Sequence, residues 1–260
     1  MEKPDYGNEN IAFTVPAAAP AKPVSGAAPS LRHDIRTVLE QPPSKEIAEI
    51  WQLVLEQFPE LHNVVLAIQR TSRFHGGQFH APLSEEENMR LEFSDADLRV
   101  IAELMTHRRR SVELVAHRLN IEPDAVSPQL LKIMIFLHEV GHAHDYLHRF
   151  LQPRMEAGSK RAKTEATAAL QERNSKEIDS LPLKIAPSTL AQWVAIPVIF
   201  WDHVKHFAPS PEVFASLRKQ QPQEIVREQE ERYKSLEFER IADTFATDFI
   251  LRNRLLEQIK

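Results

Sequence analysis

A long and almost wholly apolar helix, predicted to begin at Ser127-Pro128, constrains the fold of this chain more than any other feature. Serine is a favoured N-cap residue, and proline suits the first helical position after the cap. Residues 130–137 are apolar on nearly every side of such a helix, which is typical of a buried element. We therefore expect the helix to run to about Phe150 through the core, with the other elements packed around it.

The second half of this helix contains the run His138-Glu139-Val140-Gly141-His142. Positions i and i+4 share one face of a helix, with their Cβ atoms ~6 Å apart. The two histidines can therefore hold one zinc ion with Zn–N bonds of ~2.0–2.1 Å. Glu139 would lie beside the metal, where a general base acting on a metal-bound water is needed. The run itself supplies no third ligand.

A second run, ERIADTFA, lies in the predicted closing helix and contains Glu239 and Asp243, again at positions i and i+4. The rest of this stretch is largely apolar, so two buried carboxylates would need a compensating charge. A zinc ion held by His138, His142 and Glu239 would supply it, with a fourth position open to water as in catalytic sites. Asp243 could accept the free ring N–H of a ligand histidine, or could replace Glu239 as the ligand.

Together, the runs HEVGH and ERIADTFA resemble the motifs of the gluzincin zinc metallopeptidases. Within that family they are most similar to the ImmA/IrrE-type peptidases, whose second motif resembles E-x-x-A-(N/D)-x-F-A. The resemblance implies zinc as the cofactor, with His138, His142 and Glu239 as its ligands. It also implies that Glu139 is the general base and that Asp243 supports a ligand histidine from behind.

The same resemblance implies a zincin-like metallopeptidase fold, mainly α with a small β-sheet (α+β), and an endopeptidase that hydrolyses peptide bonds. The chain departs from the ImmA/IrrE-type pattern in one respect. The two runs are separated by 96 residues, 143–238, which is a longer connection than is usual in those proteins. We predict a helical insert at about 151–222, which could cover the cleft and set its specificity.

Composition limits the fold and the kind of metal site. Six glycines against 18 prolines leave little room for hairpin turns, which favours helices over an all-β fold. The absence of cysteine excludes disulfides and thiolate ligands, so any zinc must be bound by histidine and carboxylate. A chain of 260 residues can form one sizeable domain or two small ones.

Proline and serine positions divide the chain into elements. Residues 1–30 contain five prolines and many alanines and are predicted to be a disordered tail, with residues 31–260 forming the metallopeptidase domain. Ser44 is a predicted N-cap, residues 62–70 are a predicted strand, and Ser94 with Asp97 is predicted to start a helix. The closing helix is predicted to cover residues 223–256 without a break.

Several side chains outside the two runs have less specific predictions. An edge strand near residues 76–81 could bind an extended peptide by strand addition. A donor to the developing oxyanion is also needed. The candidates for this donor are Tyr146, His203, His206, Tyr233, Arg252 and Arg254.

The remaining histidines are given structural interpretations. His144 and His148 also stand at i and i+4, but they lie about 240° around the helix from the first pair. We predict that they are exposed rather than ligands of a second metal. His75 and His80 are predicted to lie in a loop without a function.

Two other functions remain open. The chain could be a catalytically silent regulator or scaffold that keeps the metal site, or residues 111–132 could form a helix-turn-helix that binds DNA. The second is disfavoured because its recognition helix would be the buried one, and the net charge of −5 gives no reason to expect nucleic acid.

The expected partner is a protein or peptide substrate in the cytoplasm, and the oligomeric state is not predicted. The first ten residues lack the pattern of a signal peptide. The longest apolar run, residues 194–201, is far shorter than the ~20 residues needed to span a membrane.

Overall fold

The computed structural model describes residues 42–69, 76–107, 109–185, 187, 190, 193–194 and 196–259. The predicted tail, residues 1–30, and His75 lie outside these described residues. The part of the chain that is described is mostly helical, as predicted. None of its helices has both the length and the apolar character needed to cross a membrane.

The helices fall into two groups along the chain. The first group is α1 (Lys45–Gln57), α2 (Leu98–His107), α3 (Arg109–Leu119) and α4 (Pro128–Asp145). The second is α5 (Gln152–Glu156), α6 (Ala162–Asp179), α7 (Pro197–Phe207), α8 (Pro211–Leu217), α9 (Pro222–Lys234), α10 (Glu237–Arg252) and α11 (Leu255–Gln258). Short 3₁₀ turns occur at Pro59–Asn63 and Pro123–Ala125, and a π-helical turn, Tyr146–Leu151, continues α4.

A small mixed sheet contains the strands β1 (Val65–Gln69), β2 (Gly77–His80) and β3 (Arg90–Ser94) in the order β1-β3-β2. β1 runs parallel to β3, whereas β2 runs antiparallel to it and forms an edge of the sheet. The small sheet and its first two strands confirm the prediction. The predicted helix after this strand is present and begins at Leu98, directly after Asp97, whereas Ser94 is not part of its start because it ends β3.

The predicted start of the buried helix is confirmed. The Ser127 hydroxyl accepts a hydrogen bond from the Leu130 backbone N–H at 3.1 Å, which caps α4. Nearly all of α4 is buried, and the helix packs mainly against α10 and also contacts α2 and β2. A helix enclosed in this way leaves no face for the major groove of DNA. The α-helix ends at Asp145, and the π-helical turn then replaces the regular helix predicted to reach Phe150.

Gly141 allows α4 and α10 to approach closely. A Cβ atom at this position would lie 2.8 Å from the Ala242 Cα and 2.9 Å from the Ala242 carbonyl oxygen. It would also lie 3.1 Å from the Phe245 Cβ. These distances are shorter than van der Waals contact, so the helix pair needs glycine on one side and a small residue on the other. The two runs identified in the sequence meet at this crossing.

A buried ionic cluster fixes the first half of α4. The Lys132 side chain is only 2% exposed and forms an ion pair with Asp95, which follows β3. Asp95 also accepts hydrogen bonds from the backbone N–H and the hydroxyl of Ser44. Ser44 is the N-cap residue of α1, as predicted, but its hydroxyl bonds to this carboxylate from a distant part of the chain and not to a backbone N–H of the helix. Pairing of this kind makes a buried charge tolerable.

The predicted continuous helix over residues 223–256 was also wrong, because three helices occupy this region. The helical conformation is interrupted between α9 and α10 at Leu236, whose backbone is extended with φ −59° and ψ 148°. The freed backbone N–H groups of Glu237 and Phe238 donate to the Glu177 carboxylate of α6 at 2.5 and 3.4 Å. A carboxylate at this position also complements the positive end of the helix dipole. Part of the predicted insert therefore holds the start of α10.

We predict that Gly141→Ala destabilises the protein by ~1–3 kcal/mol, because the added methyl group separates α4 from α10. Helix propensity alone predicts the opposite sign, a gain of ~1 kcal/mol from replacing a mid-helix glycine. Denaturant unfolding measures the difference. Thr244→Ala, an exposed position on α10, is the matched control and should change stability by no more than ~0.5 kcal/mol. A stabilised Gly141→Ala protein would disprove the close contact.

Candidate metal centre

Three potential metal ligands meet where α4 crosses α10. His138 Nε2 and His142 Nε2 are 3.1 Å apart, and Glu239 oxygens lie 3.5 Å from the first and 3.7 Å from the second. Two ligands bound at ~2.05 Å in a tetrahedron are ~3.3 Å apart. The three separations therefore fit a single tetrahedral metal ion, and His138, His142 and Glu239 form a cluster that could hold one.

The chemistry of these donors fits zinc. Two imidazoles and one carboxylate form a donor set found in catalytic zinc sites, in which the fourth position is left to water or substrate. The side chains of His138 and Glu239 are 8% and 7% exposed, whereas His142 is 18% exposed and lines the adjacent cleft. The ligands are thus enclosed on the side of the core and reachable from the cleft.

Asp243 supports His138 from behind. Its Oδ1 lies 2.8 Å from His138 Nδ1, and its Oδ2 forms an ion pair with Arg118 of α3 at 2.5 Å. An acceptor on Nδ1 places the proton there, so Nε2 is the unprotonated nitrogen that can ligate a metal. Asp243 thus lies where the sequence suggested a supporting carboxylate, while Glu239, rather than Asp243, faces both histidines.

Glu139 is held against the edge strand of the sheet. A Cβ atom on Gly77 would lie 2.4 Å from the Glu139 Cγ, so only glycine permits this approach. The Phe79 backbone hydrogen-bonds to the carboxylate of Glu139. The other oxygen, Oε1, is buried and accepts no hydrogen bond from the residues that the structure describes. Buried carboxylate oxygens rarely lack a partner, so this one indicates a place for a water or a substrate group.

The buried charges of the centre shift one another's pKa values. Burial alone would lower the pKa of His138, but the carboxylates, above all Asp243, outweigh it and raise this pKa to about 9. Burial raises the pKa values of Glu139 and Glu239 to about 7 each. Burial and the charge of His138 lower the pKa of His142 well below its usual value. The centre therefore retains protons near neutral pH that a divalent cation would have to displace.

The centre opens into a cleft of about 1060 Å³. One wall is β2, from Gly77 to His80, and another is a face of α6 from the predicted insert. Glu139 and His142 lie in the floor of the cleft with Glu239. α6 packs against the π-helical turn after α4, so this wall is attached to the helix that carries the ligands.

Of the six proposed oxyanion donors, Tyr233 lies in the cleft beside the ligands. Burial and the charges of Glu239 and Glu139 raise the pKa of its hydroxyl, which therefore stays protonated and able to donate. The Tyr146 hydroxyl instead bonds to the Lys163 carbonyl and to Thr167.

The other four candidates lie elsewhere in the fold. His203 and His206 are on α7, where His203 packs against Trp193 in a separate hydrophobic cluster. Arg252 ends α10 and Arg254 lies just before α11, both beyond the ligand-bearing turns. Tyr233 is therefore the candidate that the geometry favours.

Two predictions about histidines were wrong. His80 belongs to β2 and lines the cleft, with its Nε2 3.5 Å from a Glu92 oxygen, rather than lying in a loop. His144 is half-buried rather than exposed, because the rings of Phe58 and Phe245 pack against it with centroids 5.1 and 5.0 Å away.

Arg118 and Gly77 contribute to the centre and were not predicted to do so. Arg118 is 27% exposed and neutralises Asp243, but in the sequence it is one of several arginines around α3. Gly77 makes room for Glu139, yet as half of a Gly-Gly pair it indicates only a turn. Neither role can be recognised from the neighbouring residues in the sequence, because each depends on a contact with a residue far away in the chain.

Comparisons of the chain with protein-family models, with curated proteins and with solved structures found no match. The zincin-like fold and the relation to gluzincins or ImmA/IrrE-type peptidases therefore stay predictions from the two runs. The structure itself shows a largely buried cluster that could hold a metal ion, formed by His138, His142 and Glu239.

Proposed function

We propose that this protein is a zinc-dependent endopeptidase of the gluzincin type. The observation that supports the proposal most strongly is the convergence of His138, His142 and Glu239 at separations suited to one tetrahedral ion, with Glu139 beside them at an open cleft. A structural zinc site is usually closed by four protein ligands, whereas three ligands facing a cleft favour catalysis.

Each residue of the centre would have a distinct task. Zinc bound by the three ligands would supply Lewis acidity, which polarises a carbonyl and lowers the pKa of water toward ~7. Glu139 Oε1, which lacks a partner among the described residues, would accept the proton of the attacking water. The same carboxyl group would then donate this proton to the leaving amine. Asp243, fixed by Arg118, would keep His138 in the required tautomer.

The cleft walls support a peptide as the substrate. β2 is an edge strand, and an extended peptide can add to such an edge through main-chain hydrogen bonds. A peptide bound along β2 would pass beside Glu139, because Gly77 and Phe79 contact this residue. The Tyr233 hydroxyl would then be placed to donate to the oxyanion that forms at the carbonyl carbon.

Replacement of two neighbouring residues should separate metal binding from catalysis. We expect Glu139→Gln to keep the zinc of this centre, because Glu139 is not a ligand, and to lose at least ~10²-fold in cleavage rate. His138→Ala should lose the zinc of this centre. The measurements are zinc content and cleavage of an unfolded test protein.

Glu237→Gln, an exposed acid on the same helix as Glu239, is the control and should retain both zinc and activity. Full activity in Glu139→Gln would contradict the proposed base. A wild-type protein that binds zinc but cleaves nothing, in cells or in solution, would support the silent scaffold instead.

Removal of the Tyr233 hydroxyl should slow the reaction without removing the metal. We expect Tyr233→Phe to reduce kcat by ~10²–10³-fold, as loss of one oxyanion donor does, with zinc content unchanged. Tyr146→Phe is the matched control because its hydroxyl is bonded to Lys163 and Thr167 away from the ligands. Equal activity in the two variants would remove Tyr233 from the mechanism.

Zinc affinity should rise with pH. His138, with a pKa of about 9, and Glu239, with a pKa of about 7, are both protonated at pH 6 in the metal-free protein. Zinc requires their deprotonated forms, so affinity should increase as the pH rises through 7 toward 9. Calorimetry in buffers of different ionisation enthalpy should detect protons released on binding at pH 7. An affinity that is constant over this range would contradict the assigned ligands.

A further inference from the structure

A second group of metal-binding side chains lies outside the cleft. Glu60 of the first 3₁₀ turn, His144 of α4 and His148 of the π-helical turn each direct one ligand atom into a common space. These atoms all lie within 4.8 Å of one another. We call this group the outer cluster. It shares no residue with the proposed catalytic centre.

The contacts of the outer cluster already join two separate parts of the chain. His148 Nε2 lies 3.0 Å from Glu60 Oε1, although 88 residues separate the two in sequence. The imidazole rings of His144 and His148 are 4.3 Å apart between centroids. The His148–Glu60 separation is close to the ~3.3 Å between two ligands of a tetrahedral ion. The ligand atom of His144 lies within 4.8 Å of both.

The surroundings restrain one ligand and leave the others adjustable. The Phe58 ring meets the half-buried His144 ring at 80°, and the Phe245 ring packs against the same imidazole. His148 and Glu60 are 38% and 34% exposed, so each can rotate by the small amount needed to close the site. The partly exposed side would leave room for water as a further ligand.

The local backbone supports the same arrangement. His144 and His148 are separated by one helical turn, which is the spacing of a two-histidine metal site. The second histidine lies in a π-helical turn, a geometry that occurs often at functional sites. A hydrogen bond alone would account for the contact between His148 and Glu60. It would not require the half-buried His144, whose ligand atom lies close to both and adds a third potential metal ligand.

We propose that Glu60, His144 and His148 form a second divalent metal site, with zinc as the ion that suits two imidazoles and one carboxylate. Such an ion would cross-link the 3₁₀ turn Pro59–Asn63 to the π-helical turn Tyr146–Leu151. Its role is structural, because Glu60, His144 and His148 are not among the residues that line the cleft. Water competes at the exposed side, so this site binds zinc more weakly than the enclosed centre.

Zinc stoichiometry tests the proposal on the full chain. After removal of metals with a chelator, zinc titration should give about two equivalents for the wild type. His148→Ala should give about one, and so should His138→Ala, which leaves the outer cluster intact. His206→Ala, an exposed histidine on α7, is the matched control and should still bind about two.

Thermal unfolding supplies a readout that does not involve activity. In the His138→Ala protein, zinc at about ten times its Kd should raise Tm by ~3 °C through the outer cluster alone. The double variant His138→Ala/His148→Ala should show no shift. His148 is exposed, so its replacement should leave the fold intact, which circular dichroism verifies.

The two proposals fail in distinguishable ways. The wild type could bind a single zinc that His148→Ala retains and His138→Ala loses. This result would overturn the outer site and would still support the metal centre at the cleft. Loss of one equivalent in His148→Ala, in a protein that has no peptidase activity, would support the outer site and reject the proposed function. Equal zinc content in His148→Ala, His206→Ala and the wild type would overturn the outer site in either case.

Discussion

The close crossing of α4 and α10 is the contact on which the candidate centre depends. Gly141 faces Ala242, with no space for a Cβ atom, and this separation brings Glu239 to within 3.7 Å of both ligand histidines. A larger residue at the crossing would move the carboxylate away from the nitrogens. Packing and metal chemistry therefore impose the same requirement on these two helices, which is close backbone approach.

Charge compensation is the second constraint, and it extends beyond the ligands. Asp243 lies between His138 and Arg118, so its carboxylate pairs with the guanidinium on one side and accepts the imidazole N–H on the other. The first half of α4 also contains a buried ion pair, between Lys132 and Asp95. Buried ions are costly unless they are paired. The long connection between the two runs takes part as well, since Glu177 of α6 holds the first backbone N–H groups of α10.

Features with a local cause could be predicted from the sequence. Ser127 caps α4 because its hydroxyl needs only the backbone of the next turn, and the two histidines share a face through helix geometry alone. Ser44 occupies its predicted N-cap position, but its hydroxyl donates to Asp95, 51 residues away, and this partner could not be predicted. The helix break at Leu236 and the ion pair of Arg118 with Asp243 could not be predicted either, because each depends on partners from distant segments.

The 96-residue connection between the two runs has a consequence for synthesis of the chain. Both histidines are added to the growing polypeptide well before Glu239, the ligand that α10 brings to them. Until then, His138 and His142 provide two nitrogens without the carboxylate that completes the set. A nascent chain that has not yet reached residue 239 therefore lacks the assembled three-ligand centre.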